Sequence, residues 1–304
     1  MLFCRLTVPI CALGLLVGCA EPSAGLNWYA VTEAHLQQGH LRTDRAVDEG
    51  LPLVETTIAN FERIAFDVEA DPFSTGTDQS VGTSRILRRW ERPVVYHVVE
   101  LDRSETSFKR SVAEYMDRIR ELTGHPITLG KPTRDRTPDD PSSNLLIVYG
   151  PDELFRFLSD IGNLIEGDET RQGSSLRDGL SKKIGAWRTA PSPCAGTLWH
   201  VENERKEFNV GEILAAFVFV RSEIPELLRD VCVEEEIAQL MGLMNDHPKA
   251  RPSIFNDDQE FALLTDYDGM LLRILYDDRL SPGMGPEEAM PIVRRIAEEL
   301  ASGS

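Results

Sequence analysis

Residues 234–246 hold the densest set of side chains able to do chemistry: Glu234, Glu235, Glu236, Gln239, Asn245 and Asp246, set among apolar residues at helical spacing. Glu235 and Gln239 are four positions apart, which puts both on one face of a helix. Glu235 and Glu236 are neighbours, so their directions differ by about 100° and they do not confront each other as a glycosidase pair does. These residue types allow a carboxylate of raised pKa that binds a polar ligand or transfers protons without a metal. Recruiting Asp246 or His247 as a further ligand would make a metal site. The Glu235, Gln239, Asp246 set would be all oxygen and suit calcium or magnesium better than zinc. They equally allow an internal hydrogen-bonded patch with no reaction at all. The run Glu234-Glu235-Glu236 also reads as a solvated helix face. His35, His40, His97, His125 and His200 form no spaced pair and read as surface or satisfied core residues rather than ligands.

The cysteines speak to the compartment. Residues 1–5 carry Arg5, and residues 6–17 are apolar but too short to span a bilayer, the size of a signal-peptide core. They lead into Leu16-Val17-Gly18-Cys19, which resembles the bacterial lipobox, where the cysteine is lipidated and becomes the mature N-terminus. Residue 20 is Ala, not the Asp that retains lipoproteins in the inner membrane, so the expected address is the periplasmic side of the outer membrane. Cys4 and Cys11 fall in the leader, which leaves Cys194 and Cys232 in the folded body. An even pair in an oxidising compartment reads as one disulfide, with two separate buried thiols as the alternative. The two are too far apart in sequence for a paired zinc knuckle.

The elements that must carry these residues fit an α/β protein. The chain has 304 residues, 41% hydrophobic, enough for a sizeable core. Its 50 Asp and Glu against 32 Lys and Arg give a formal net charge of -18, which repels phosphate backbones and excludes nucleic acid as a partner. Residues 1–18 are the leader, 19–85 a tether with one accessory helix near 51–68, and 86–304 the domain. Strands are expected at 93–99, 144–149, 197–201 and 213–220, the last being the most apolar. Helices are expected at 104–123, 153–165, 225–244 and 286–300. Strands alternating with helices imply a mixed, mostly parallel sheet.

The stretch from Glu235 to Asp246 resembles the metzincin zinc-peptidase motif, in which two histidines four apart and a third beyond a glycine turn hold zinc, with a glutamate as general base. Here Glu236 matches the general base, Gly242 the turn and Asp246 the residue after the third ligand, while Glu235, Gln239 and Asn245 occupy the three histidine positions. Pro252-Ser253-Ile254-Phe255 resembles the turn beneath the zinc, with Phe255 at the methionine position. Leu264-Thr265-Asp266-Tyr267-Asp268, leading to Leu275-Tyr276, resembles the C-terminal helix of that fold. Residues 232–284, with Trp90-Glu91-Arg92-Pro93 and residues 60–66, are also similar to a proteobacterial family of frequent lipoproteins filed as domain of unknown function 2927 (DUF2927). The resemblance implies a metzincin-like fold with its zinc ligands replaced. No cofactor is expected. The implied role is binding a peptide or protein of the envelope, with attachment to the membrane through the N-terminal lipid only. The alternative is a hydrolase, working through non-standard oxygen ligands or through Glu235 and Glu236 without metal.

Overall fold

The structure, a computed structural model, covers residues 26–46, 50–67, 85–101, 107–131, 143–151, 192–203, 207–256 and 258–303. Cys19 and the helix expected at 153–165 lie outside the described residues. In chain order the described elements are α1 (Trp28–Gln37), α2 (Val54–Phe66), β1 (Val94–Glu100), α3 (Phe108–Thr123), β2 (Ile127–Leu129), β3 (Leu145–Gly150), β4 (Cys194–His200), β5 (Ile213–Arg221), α4 (Glu226–Leu240), α5 (Asp266–Leu275) and α6 (Pro286–Ser302).

The five strands form one sheet in the order β2-β1-β3-β5-β4. β1, β2, β3 and β5 run parallel, with Tyr96 opposite Leu145 and Ile147 opposite Val218. β4 is antiparallel to β5, Cys194 facing Val220, and among the described residues pairs with no other strand. The central strands are apolar, β-branched runs because a parallel sheet is buried on both faces. One face, with Val94, Tyr96, Ile147 and Val218, joins the helices in the main core. The other presents Val148, Ala195 and Phe219, flanked by Leu146, Trp199 and Phe217, as a separate cluster.

α3 buries Phe108, Val112, Met116 and Ile119, the stripe its spacing requires, and packs against α4 and α5. α2 buries Phe61, Ile64, Ala65 and Phe66 in the same core, against α5 and α6, and the Asn60 amide donates to the Tyr267 hydroxyl at 2.8 Å. The accessory helix is thus built into the domain. β4 is longer than expected, because Cys194 and Ala195, small residues with little strand preference of their own, pair with Val220 and Phe219.

Cys194 and Cys232 are disulfide-bonded, with Cα atoms 5.8 Å apart. The bond ties the first residue of β4 to the middle of α4 and closes a loop 38 positions long. In the chain-entropy view such a cross-link is worth roughly 3–4 kcal/mol. A Cys194→Ser/Cys232→Ser protein should lose about that much in urea titrations. An unchanged midpoint would show that the bond contributes nothing to stability.

Candidate functional site

The site is built on α4. The helix is buried over most of its circumference: Leu228, Val231, Cys232, Val233, Ile237, Ala238 and Leu240 face core. Glu235, Glu236 and Gln239 are half-buried and form its polar edge. Cys232, Glu236 and Leu240 recur every four residues and so line one side of the helix. That side lies along β4. Cys232 is bonded to Cys194, and two residues further along the strand Gly196 meets Glu236. A Cβ at position 196 would stand 2.5 Å from Oε2 of Glu236 and 3.5 Å from Cγ of Leu240. A glycine here is what lets the carboxylate lie flat against the edge strand. Gly196 carried no signal in the sequence, since its meaning depends on a helix forty residues downstream.

Three remote segments meet where α4 ends. Trp90 Nε1 donates to the Leu240 carbonyl at 2.9 Å, and the Tyr276 hydroxyl donates to that of Met241 at 2.9 Å. Gly242 then turns the chain with φ +117°, its α-carbon pressed on the Arg88 carbonyl. The Arg88 side chain is fully buried, and its Nε donates to Nε2 of His200 on β4 at 3.2 Å. Burial first, and Arg88 second, hold the His200 pKa below the ordinary imidazole range. Neutral His200 therefore accepts on Nε2 and turns Nδ1 to the Val201 carbonyl.

Past the turn the three residues at the expected ligand positions part company. Glu235 and Gln239 share the polar edge of α4. Asn245 is engaged elsewhere: its amide donates to the Arg63 carbonyl at 3.3 Å and to that of Asp246 at 2.7 Å, and its backbone N–H to that of Ile64 at 3.2 Å, satisfying carbonyls at the end of α2. His247 N–H donates to the Phe255 carbonyl at 2.8 Å, which joins the loop to the segment 253–255. Phe255 is fully buried in the core that holds Ile237 and Ala238.

That segment is fixed by Asp268, a residue whose role sequence reading did not assign. Its buried carboxylate accepts from Ser253 Oγ, from Ile254 N–H at 3.1 Å, and from both N–H and Oγ of Thr265 at 2.8 Å, completing a capping box at the start of α5. Burial pushes its pKa up to about 6, against the pull of these donors.

Glu234 is not part of a solvated face. It is 5% exposed and forms a bidentate pair with Arg45, while Leu264 N–H donates to it at 2.6 Å. Helical geometry explains the split: position 234 points about 200° from position 236. A cavity of about 190 Å³ opens beside it, lined by Arg45, Tyr115, Arg118 and Asp230 among others. Asp230 is pushed up to about 6 by burial and by its carboxylate neighbours Glu234 and Glu226. His35 and His40, five apart, are brought together across a tight turn, with Nδ1 atoms 3.3 Å apart. Among the described residues no three His, Cys, Asp or Glu side chains converge as a metal site.

Fold and site together define an α/β domain with a mostly parallel five-stranded sheet, whose antiparallel edge strand is clamped by a disulfide to a helix with a polar edge. The chain belongs to the family described as Protein of unknown function (DUF2927), whose model matches residues 55–295 and so includes α2. No curated protein and no solved structure matches it.

Proposed function

We propose that this is a lipid-anchored protein of the cell envelope whose domain is a metzincin-like fold without zinc, used to hold an extended peptide or a protein segment along β4. The observation that carries the reading is the edge strand. Among the described residues β4 has only β5 as a strand partner, and its side away from β5, where Ser192 Oγ caps the Cys194 carbonyl, suits strand addition in reach of the polar edge of α4. The metzincin-like assignment is supported by the buried strand β5 directly before α4, by the turn at Gly242, by buried Phe255 in the following turn, and by α5 opening with Asp266. The donor set does not fit zinc. Glu235 is a carboxylate and Gln239 an amide, and the Asn245 amide is engaged with α2. No reaction step is therefore assigned to a metal.

Purified mature protein should contain no stoichiometric zinc and show no chelator-sensitive peptidase activity. Glu236→Gln should leave the cellular role intact, whereas Thr197→Pro, which disturbs β4, should impair it. Zinc at one per chain, together with loss of function in Glu236→Gln, would overturn this reading in favour of a hydrolase.

A further inference from the structure

The described surface exposes few large apolar side chains, and they are not spread evenly. Five of the six, Leu26, Tyr29, Leu36, Leu51 and Leu53, belong to residues 26–53, ahead of the family match; only Leu129 lies within it. A soluble domain has no use for an apolar concentration at the point where it leaves its tether.

α1 shows how part of this surface is arranged. Thr32 is its one buried residue, and Trp28, Val31 and His35 are half-buried on the same side. Tyr29, 66% exposed, and Leu36, 45% exposed, point outward from a flank about 90–110° round from the centre of that side, at a spacing of seven, two helical turns. Leu26 precedes them, 49% exposed. Between them stands Glu33, whose carboxylate accepts from the Gln37 amide at 3.1 Å. α1 contains no Lys or Arg. The helix is also not a loose appendage. Just beyond it, Leu41 and Arg42 N–H groups donate to the Gln259 and Glu260 carbonyls at 3.0 and 2.8 Å, and Ala262 N–H donates to that of Arg42 at 2.7 Å.

We infer that the outward face of α1, with Leu26, Tyr29 and Leu36, rests on an electrically neutral phospholipid surface and sets the orientation of the domain on the membrane. The inference rests on the proposed lipidation of Cys19. Seven peptide steps separate Cys19 from Leu26, a reach of at most about 25 Å. A lipid at Cys19 therefore holds α1 within a helix length or two of the headgroups, at a high effective concentration. There an exposed tyrosine and two leucines gain by entering the interface, where an aromatic ring can keep its hydroxyl in water. Charge selects the lipid. With no cation on α1 and a net charge of -18 on the chain, anionic headgroups are disfavoured and zwitterionic ones are suited. The contact adds to the anchor, and through the Arg42 bonds it turns the whole domain rather than a floppy arm.

Hydrogen exchange of the lipidated full-length mature protein in phosphatidylethanolamine/phosphatidylcholine vesicles tests this, against the Cys19→Ser protein in solution. Amides of residues 29–37 should exchange at least fivefold more slowly on vesicles, with no change at β2. Tyr29→Lys/Leu36→Lys should still float with the vesicles but lose the protection, and adding phosphatidylglycerol should weaken it. Vesicle flotation with unchanged α1 exchange would overturn the inference and leave the lipidation standing. Failure to float would overturn both. Protection that appears without vesicles as protein concentration rises would assign the face to a second copy instead.

Discussion

Gly242→Ala should cost about 2–5 kcal/mol in urea titrations and disorder the C-terminal end of α4. Two effects add. A φ of +117° is strained for any residue with a Cβ, by about 1–2 kcal/mol. The new Cβ would also stand 2.0 Å from the Arg88 carbonyl oxygen and 3.1 Å from Leu275 Cδ2. A backbone carbonyl cannot swing aside as a flexible side chain can, so the Arg88–Trp90 segment must move, at a further 1–3 kcal/mol or so. Gly39→Ala separates the two effects. Its φ is +79°, but nothing lies within 4 Å of a Cβ there, so it should lose only the backbone part. Equal losses at the two positions would refute the close-packing account of Gly242.

Asp268→Ala should be comparably severe, about 3–5 kcal/mol, because it strands Ser253 Oγ–H, Ile254 N–H and Thr265 N–H in the core, the Thr265 hydroxyl alone keeping an acceptor in the Pro252 carbonyl. Asp268→Asn gives the sharper test. The folded pKa, about 6, lies above the ordinary aspartate value, so the native state takes up a proton before the unfolded state does. By linkage, the stability this group contributes is fully present below about pH 4 and falls as pH rises through 6. Asn cannot titrate. The penalty of Asp268→Asn should therefore be larger at pH 4.5 than at pH 7.5, by on the order of 2 kcal/mol. Asp230 titrates in the same range but is present in both proteins and cancels. A penalty independent of pH over this range would mean that the folded pKa is not raised and that Asp268 stays ionised in the folded protein.

The parts of this structure that could be read from sequence are those whose signal is local. β1, β3 and β5 announce themselves as apolar β-branched runs, and α3 as a stripe at helical spacing. β2 has three residues and no periodicity to detect. At the site, Glu235 and Gln239 share a helix edge because spacing alone dictates it. Glu234 could not be placed that way: its burial is made possible by Arg45, far away in sequence. Asn245 likewise serves Arg63, and Asp268 serves Ser253 and Ile254. Each is a polar group whose partner is chosen by tertiary packing, and composition holds no record of it.

The packing of α2 against α6 has an architectural consequence. Glu55, at the start of the family match, forms an ion pair with Arg294, one residue from its end. The domain is therefore closed like a ring whose clasp is this helix pair. A short peptide could join the two ends, and new termini could be opened at an exposed turn elsewhere without breaking the core. In the native order, the same closure brings the end of the matched region back to the side on which that region begins. A protein fused after α6 would be displayed on the α2 side of the domain.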